Sequence, residues 1–326
     1  LKQELLTVAG WREVPVQADV LGPIARASLP RIEQVLVNCP AGWGKHDMER
    51  RLFMARRRTE KALIELDNFY ICTLSCLVIV YKALAMPVDL PQFYQDLCDP
   101  RLTTAICLFH QRFSTNTSPR WPLAQPFRFL AHNGEINTIS SNRQWSRARS
   151  PKFITPLLPD LQQAAPLVSE HGSDSMSLDN MLEVCLAGGM DIFRSLRLLL
   201  PPAWENRDDM DADLRAFYEF NAGHMEPWDG PAGVVMTTGQ HVACTLDRNG
   251  LRPARYVITT NGWLTLSSEV GVWDYSPADV VEKGRVGPGE MLALDTGTGE
   301  LWRSGAIDLL LKEQHPYRHW LEQHCH

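Results

Sequence analysis

The chain has 326 residues, 44% of them apolar and 21% charged, and its 32 Lys and Arg against 38 Asp and Glu leave a formal net charge of −6. This is the profile of a globular protein, and its acidic balance argues against general nucleic-acid binding, which needs a surplus of Lys and Arg on one face. The longest apolar stretch, Leu74 to Val88, is broken by Lys82 and Pro87, short of the roughly 20 apolar residues of a membrane span.

The opening residues LKQELLTVAGW lack a basic flank followed by an apolar run, so no secretory signal is expected. The eight cysteines, at 39, 72, 76, 98, 107, 185, 244 and 325, are scattered and mostly embedded in apolar runs. They read as reduced core thiols of a cytoplasmic protein.

In chain order, IEQVLVNCP predicts a short strand before Pro40. A helix is expected from about Lys45 to Leu66, with Met48, Leu52, Ala55, Leu63 and Leu66 as its apolar stripe. Its arginines at 50, 51, 56, 57 and 58 suggest a solvated face rather than an RNA-binding one, given the negative charge. Residues 69–74 and 77–81 predict a hairpin, and a short helical stretch follows to about Cys98. The run TAICLF at 104–109 predicts a buried strand, and Phe127 to His132 a second one closed by Asn133-Gly134. Trp121 and PLAQPF suggest a rigid packed loop.

Helices are expected at 140–147, 175–187, 191–199 and 211–222; the second follows the capping residues Ser173-Asp174-Ser175 and ends at Gly188-Gly189. From Gly230 the pattern turns to strands, at 232–237, 241–247, 255–259, 264–268 and 289–295. The order β-rich, α-rich, β-rich predicts an α+β arrangement of antiparallel sheets with helices outside.

Four passages carry candidate chemistry, each with a plainer reading beside it. Arg112, in HQRFSTN, has the planar fork that suits a carboxylate ligand, or an ordinary protein ion pair. Asn133-Gly134, in LAHNGEIN, is first of all a hairpin-turn signal; an Asn amide and a backbone N–H at one spot would also stabilise an oxyanion. Asp174, in HGSDS, reads as a helix cap, or as a carboxylate for the α-ammonium of an amino acid held by Arg112. LDRNGLRPARY with SSEVG reads as strand, charged turn and returning strand.

Together RFSTNTSPRWPLAQPFRFLAHNGEINT, SDSMSLDN, MEPWDGPAG, LDRNGLRPARY and SSEVGVWD resemble the class II glutamine amidotransferase domain of the glutamate synthase large-subunit family, in order from about Trp11 to about Trp320. The resemblance implies an N-terminal-nucleophile hydrolase fold, a four-layer αββα sandwich, here expected to be incomplete at its N-terminal side. It implies that L-glutamine is bound by Arg112 at the α-carboxylate and Asp174 at the α-ammonium, with Thr115 lining the pocket. Asn133 and the Gly134 backbone would form the oxyanion hole.

One domain is expected over 1–326: an incoming segment at 1–40, a helix-rich pocket-forming part at 41–229 and an antiparallel β part at 230–302. Residues 303–326 would begin a linker to the remaining synthase domains. The resemblance places the nucleophile on a cysteine at the start of the mature chain, where its own α-amino group acts as base. The sequence begins with Leu1, and none of its eight cysteines has that position, so a fragment inactive on its own is expected.

FMN and an iron–sulfur cluster, with NADPH electrons arriving through a small electron-transfer subunit, are implied for the full protein. There, ammonia would convert 2-oxoglutarate to an imine that reduced FMN turns into a second glutamate. No cofactor is expected in this chain, which has neither a glycine-rich dinucleotide fingerprint nor a cysteine cluster. One departure from the family pattern is Ala83, where a Gly usually follows the Lys. Two other readings stay open: a non-catalytic binding or regulatory module of the same fold, and a metal-binding protein using His315, His319, His324, Cys325 and His326.

Overall fold

The computed structural model describes the backbone of residues 1–66, 68–112 and 118–324, and the side chains of all but the last of these. Its strands are β1 (Thr7–Glu13), β2 (Glu33–Asn38), β3 (Leu130–Gly134), β4 (Ala232–Thr237), β5 (His241–Leu246), β6 (Arg255–Thr259), β7 (Leu264–Ser267), β8 (Val280–Arg285), β9 (Met291–Asp295) and β10 (Leu301–Arg303). The helices are α1 (Pro23–Ala27), α2 (Lys45–Ala62), α3 (Leu90–Phe93), α4 (Ile139–Arg149), α5 (Asp174–Ala187), α6 (Ile192–Leu199), α7 (Ala212–Ala222), α8 (Ser304–Glu313) and α9 (Tyr317–His324).

The strands form three antiparallel sheets: β1-β2, a five-stranded sheet in the order β10-β9-β5-β4-β3, and a three-stranded sheet in the order β7-β6-β8. The two larger sheets divide their side chains by the two-residue period of a strand. On one face of the five-stranded sheet, Val234, Met236, Ala243, Met291 and Ala293 join the core formed with α5, α6, α7, α8 and α9. On the other, Val235, Cys244, Leu246 and Leu292 meet Tyr256, Ile258, Leu264 and Leu266 of the three-stranded sheet. The result is an α+β sandwich of helices, sheet and sheet. The outer face of the small sheet, with Val281, Lys283 and Arg285, is exposed. Among the described residues no helix is long and apolar enough to cross a membrane.

Several predicted elements lie where expected, with shifted ends. Residues 304–324, read as the start of a linker, carry α8 and α9, and bury Ile307, Leu311 and Tyr317 in the main core. The loop around Trp121 is packed as predicted: its indole is buried beside Phe93, and its N–H donates to Ser28 Oγ at 3.2 Å.

Three expectations need correction. The arginines of α2 are not a solvated face. Arg56 is fully buried between Glu60 and Glu183, Arg58 pairs with Glu4 and Asp160, and Arg57 with Glu60. The helix is covered on both sides, so these cations replace water with carboxylates. The hairpin expected at 69–81 is also absent, because backbone donors there find side chains instead of a facing strand. Ser75 Oγ accepts from the amides of Leu77 and Val78 and itself donates to Glu49.

Residues 104–109, finally, form no strand. Thr104 Oγ1 turns back on its own segment, donating to the Ile106 carbonyl at 2.8 Å, and Cys107 and Phe109 are exposed. The side chain thus offers the backbone a local alternative to a ladder.

Candidate active site

The site begins at the N-terminus of α5. Ser173 caps the helix by accepting the amide of Met176 at 3.2 Å, which leaves Asp174 as its first residue. Asp174 is tied to the backbone twice: Oδ2 accepts the Ile136 amide and Oδ1 the Ser175 amide, both at 2.8 Å. Burial alone would raise its carboxyl pKa. The neighbouring His132 imidazole and the two amides outweigh burial and bring it down to about 2. The helix terminus favours the same charge, so Asp174 is an anion with two fixed N–H partners and a partly exposed side chain.

Asn133 and Gly134 form no hairpin turn: they close β3, paired with Gly233 and Ala232 of β4. Gly134 has φ 125, and its α-carbon packs so close to β4 that a Cβ would lie 1.8 Å from the Pro231 carbonyl oxygen. Gly230 returns the constraint: a Cβ there would lie 2.0 Å from the Glu135 oxygen. Each glycine is therefore required by the other's loop. Glu135 donates its amide to Pro231 O at 3.1 Å, and Thr138 its amide to Asp229 O at 3.2 Å. Asp247 accepts the Ala232 and Leu251 amides on Oδ1 and the Asn249 amide on Oδ2, and Arg248 pairs with Asp229. The passages HNGEINT, WDGPAG and LDRNGLRP, far apart in sequence, thus meet at one end of β3 and β4.

A second aspartate of α5 fixes the other end of β3. Asp179, fully buried, accepts the amides of Phe129 at 2.9 Å, Leu130 at 3.2 Å and Arg128 at 3.3 Å. This is why the strand starts at Leu130 and not at Phe127: the preceding donors are already taken. Burial pushes the Asp179 carboxyl up, against the nearby Arg128 guanidinium. In the five-stranded sheet β3 is an edge strand. Gln125 closes part of that edge, accepting the His132 amide at 2.8 Å and donating to its carbonyl at 3.2 Å.

Of the residues expected from the sequence, Asp174 is bonded to the Ile136 amide, two residues beyond Gly134. Arg112 is exposed at the end of the irregular 104–112 segment. Its backbone lies in reach of the His110 imidazole, which also faces His132; burial and that neighbouring ring lower the His110 pKa. Thr115 lies outside the described residues. SSEVGVWD runs exposed beyond β7, with Val270 and Trp273 largely open to solvent.

Sequence reasoning missed His132, Ser175 and Asp179. A His directly before Asn133, and an Asp in mid-helix between Leu178 and Met181, were the available signals. Of the C-terminal histidines, His315 stacks on Trp320 and packs edge-on against Tyr317. Cys325 and His326 lie outside the described residues, and among the described residues no group of three His, Cys, Asp or Glu is placed to hold a metal ion.

The molecule is thus an antiparallel α+β sandwich in which an ionised helix-terminal aspartate is bonded to the segment that follows the strand-end pair Asn133-Gly134. The chain belongs to the class-II glutamine amidotransferases, whose family model matches residues 1–320. It is 42% identical over 326 residues to ferredoxin-dependent glutamate synthase 2 of Synechocystis sp., covering 99% of this chain and 21% of that protein. It is 40% identical to the glutamate synthase [NADPH] large chain of Azospirillum brasilense, covering 98% of this chain, and 39% identical to that of Bacillus subtilis, covering 99%. The chain spans about one fifth of the length of these relatives, 21% in each case.

Proposed function

We propose that this domain hydrolyses the side-chain amide of L-glutamine to glutamate and ammonia. Arg112 holds the α-carboxylate, Asp174 the α-ammonium, and Thr115 lines the pocket. A cysteine thiolate attacks the amide carbonyl, the tetrahedral oxyanion rests on the Asn133 amide and the Gly134 N–H, ammonia leaves, and water releases the acyl-enzyme. The observation that carries this reading is Asp174: a carboxylate held ionised, bonded to Ile136 two residues beyond Gly134, with part of its side chain open to a ligand.

The nucleophile is not one of the cysteines described here whose thiols titrate abnormally. Burial pushes Cys76, Cys185 and Cys244 up to about 12, the opposite of activation. The 326 residues alone are therefore proposed to bind glutamine without turning it over. In the full protein the ammonia passes to synthase domains of the same polypeptide for reductive amination of 2-oxoglutarate. Two of the relatives above are named as NADPH large chains and the third as ferredoxin-dependent; glutamine hydrolysis serves either. The scattered free thiols fit a reducing, cytoplasmic setting.

The test uses a full-length protein that carries this domain behind its nucleophile. Asn133→Ala lowers glutaminase kcat by about a hundredfold or more with little change in KM. Wild-type kcat in that variant overturns the oxyanion assignment, and turnover by the 326-residue chain overturns the nucleophile assignment.

A further inference from the structure

We infer that His132 is a positioning residue that, through the Ser175 hydroxyl, aims the Asp174 carboxylate at the α-ammonium end of the ligand. This rests on the functional reading above and adds to it a determinant of amino-acid specificity.

His132 is 3% exposed on β3, too deep to touch a ligand directly. Burying an imidazole costs free energy unless its polar atoms find partners, and its Nε2 finds two. Ser175 Oγ lies 2.7 Å away and Asp174 Oδ2 3.6 Å away. Ser175 Oγ in turn lies 3.4 Å from Asp174 Oδ1. Nδ1 is buried and has no hydrogen-bond partner among the described residues.

Which ring nitrogen carries the proton follows from its partners, and a proton on Nε2 suits both the Ser175 hydroxyl and the Asp174 carboxylate. The hydrogen bonds then run in one direction: Nε2–H donates to Ser175 Oγ, and the Ser175 hydroxyl donates towards Asp174. The carboxylate is thus held by the Ile136 and Ser175 amides along the backbone and by the imidazole and hydroxyl from the side. The Asp174 side chain stays 22% exposed.

The ring is itself held. Gln125 grips the His132 backbone on both its N–H and its C=O, and the His110 ring faces it from the neighbouring segment. Arg143, bonded to Ser177 Oγ at 3.0 Å and to the Gly172 carbonyl at 3.0 Å, adds a positive charge near Asp174. The next residue after His132 is Asn133. One residue therefore references both halves of the site: its backbone carries the oxyanion donor, and its side chain sets the ammonium acceptor.

The experiment compares two ligands on the full-length protein by calorimetry: L-glutamate, and glutarate, which has the same carboxylates but no α-ammonium. Ser175→Ala and His132→Leu should weaken L-glutamate about tenfold, about 1.4 kcal/mol, while glutarate stays within about twofold; His132→Gln, which keeps a donor, should restore part of the loss. Equal weakening of both ligands, or no change in either, overturns the inference and leaves the functional reading standing. A wild-type protein that binds neither L-glutamate nor L-glutamine overturns that reading and this inference with it. Should His132→Leu fail to fold, Ser175→Ala, which removes one oxygen, decides the matter.

Discussion

Substituting Gly134→Ala tests the interlock between β3 and β4. Gly134 has φ 125, where a side chain costs about 1–3 kcal/mol in backbone strain. The added Cβ would also lie 1.8 Å from Pro231 O and 2.8 Å from the Pro231 carbonyl carbon. Both are backbone atoms of the chain entering β4, so no side chain can swing away. Overpacking of this kind costs about another 1–3 kcal/mol, and separating the loops breaks the Glu135-to-Pro231 hydrogen bond, about 1 kcal/mol more. The expected loss is about 3–7 kcal/mol, a large part of the 5–15 kcal/mol that holds a typical domain together. Urea denaturation measures it. Gly299→Ala is the control: φ is 76 there but nothing lies within 4 Å of the new Cβ, so backbone strain acts alone. A Gly134→Ala variant that loses no more stability than Gly299→Ala would refute the argument that close approach, and not the turn conformation alone, demands the glycine.

Other outcomes follow from the same geometry. Because the folded Asp174 carboxyl titrates near 2, below the ordinary aspartate range, its contribution is present above that range and is lost as pH falls through it. Relative to Asp174→Asn, the wild type should therefore lose stability on the order of 2 kcal/mol between about pH 5 and pH 2, read by denaturation at each pH. Asp179→Leu leaves the Arg128, Phe129 and Leu130 amides without their acceptor, and a loss of more than about 3 kcal/mol is expected by denaturant titration. Arg56→Ala leaves the buried Glu183 carboxylate with Arg128 3.9 Å away and takes one guanidinium from Glu60, which keeps Arg57 and Arg128, and should cost about 3–5 kcal/mol, whereas a solvated arginine would cost a few tenths.

The sequence was most legible where local period and tertiary burial agree. Strand β8 and helix α7 follow patterns of two and 3.6 residues because each shows one face to a core, whereas α5 and β9 are buried nearly all round and read as apolar runs. It was least legible where a backbone bonds to a distant side chain. TAICLF has strand composition, yet it pairs with no strand among the described residues and Thr104 supplies the local bonds. The arginines of α2 look solvent-bound until Glu4, Asp160 and Glu183 arrive from elsewhere in the chain. At the site, the Asn-Gly pair and Asp174 stood out as turn and cap signals, but Asn133 and Gly134 close β3 in its ladder with β4, and the cap is Ser173, with Asp174 the first residue of α5. The placing of β3 itself depends on Gly230 and Asp179, residues whose importance lies in long-range contacts.

The Gln125 amide at the rim of the sheet has a consequence for how the molecule behaves in company. A primary amide mimics a peptide unit, so one side chain occupies the hydrogen-bonding positions at His132 that a foreign strand would otherwise recruit. Lateral growth of the sheet, by a second copy or a stray segment, would have to evict this plug before it could zip along β3. A side chain that steadies the reactive turn therefore also guards the molecule against polymerising through that border.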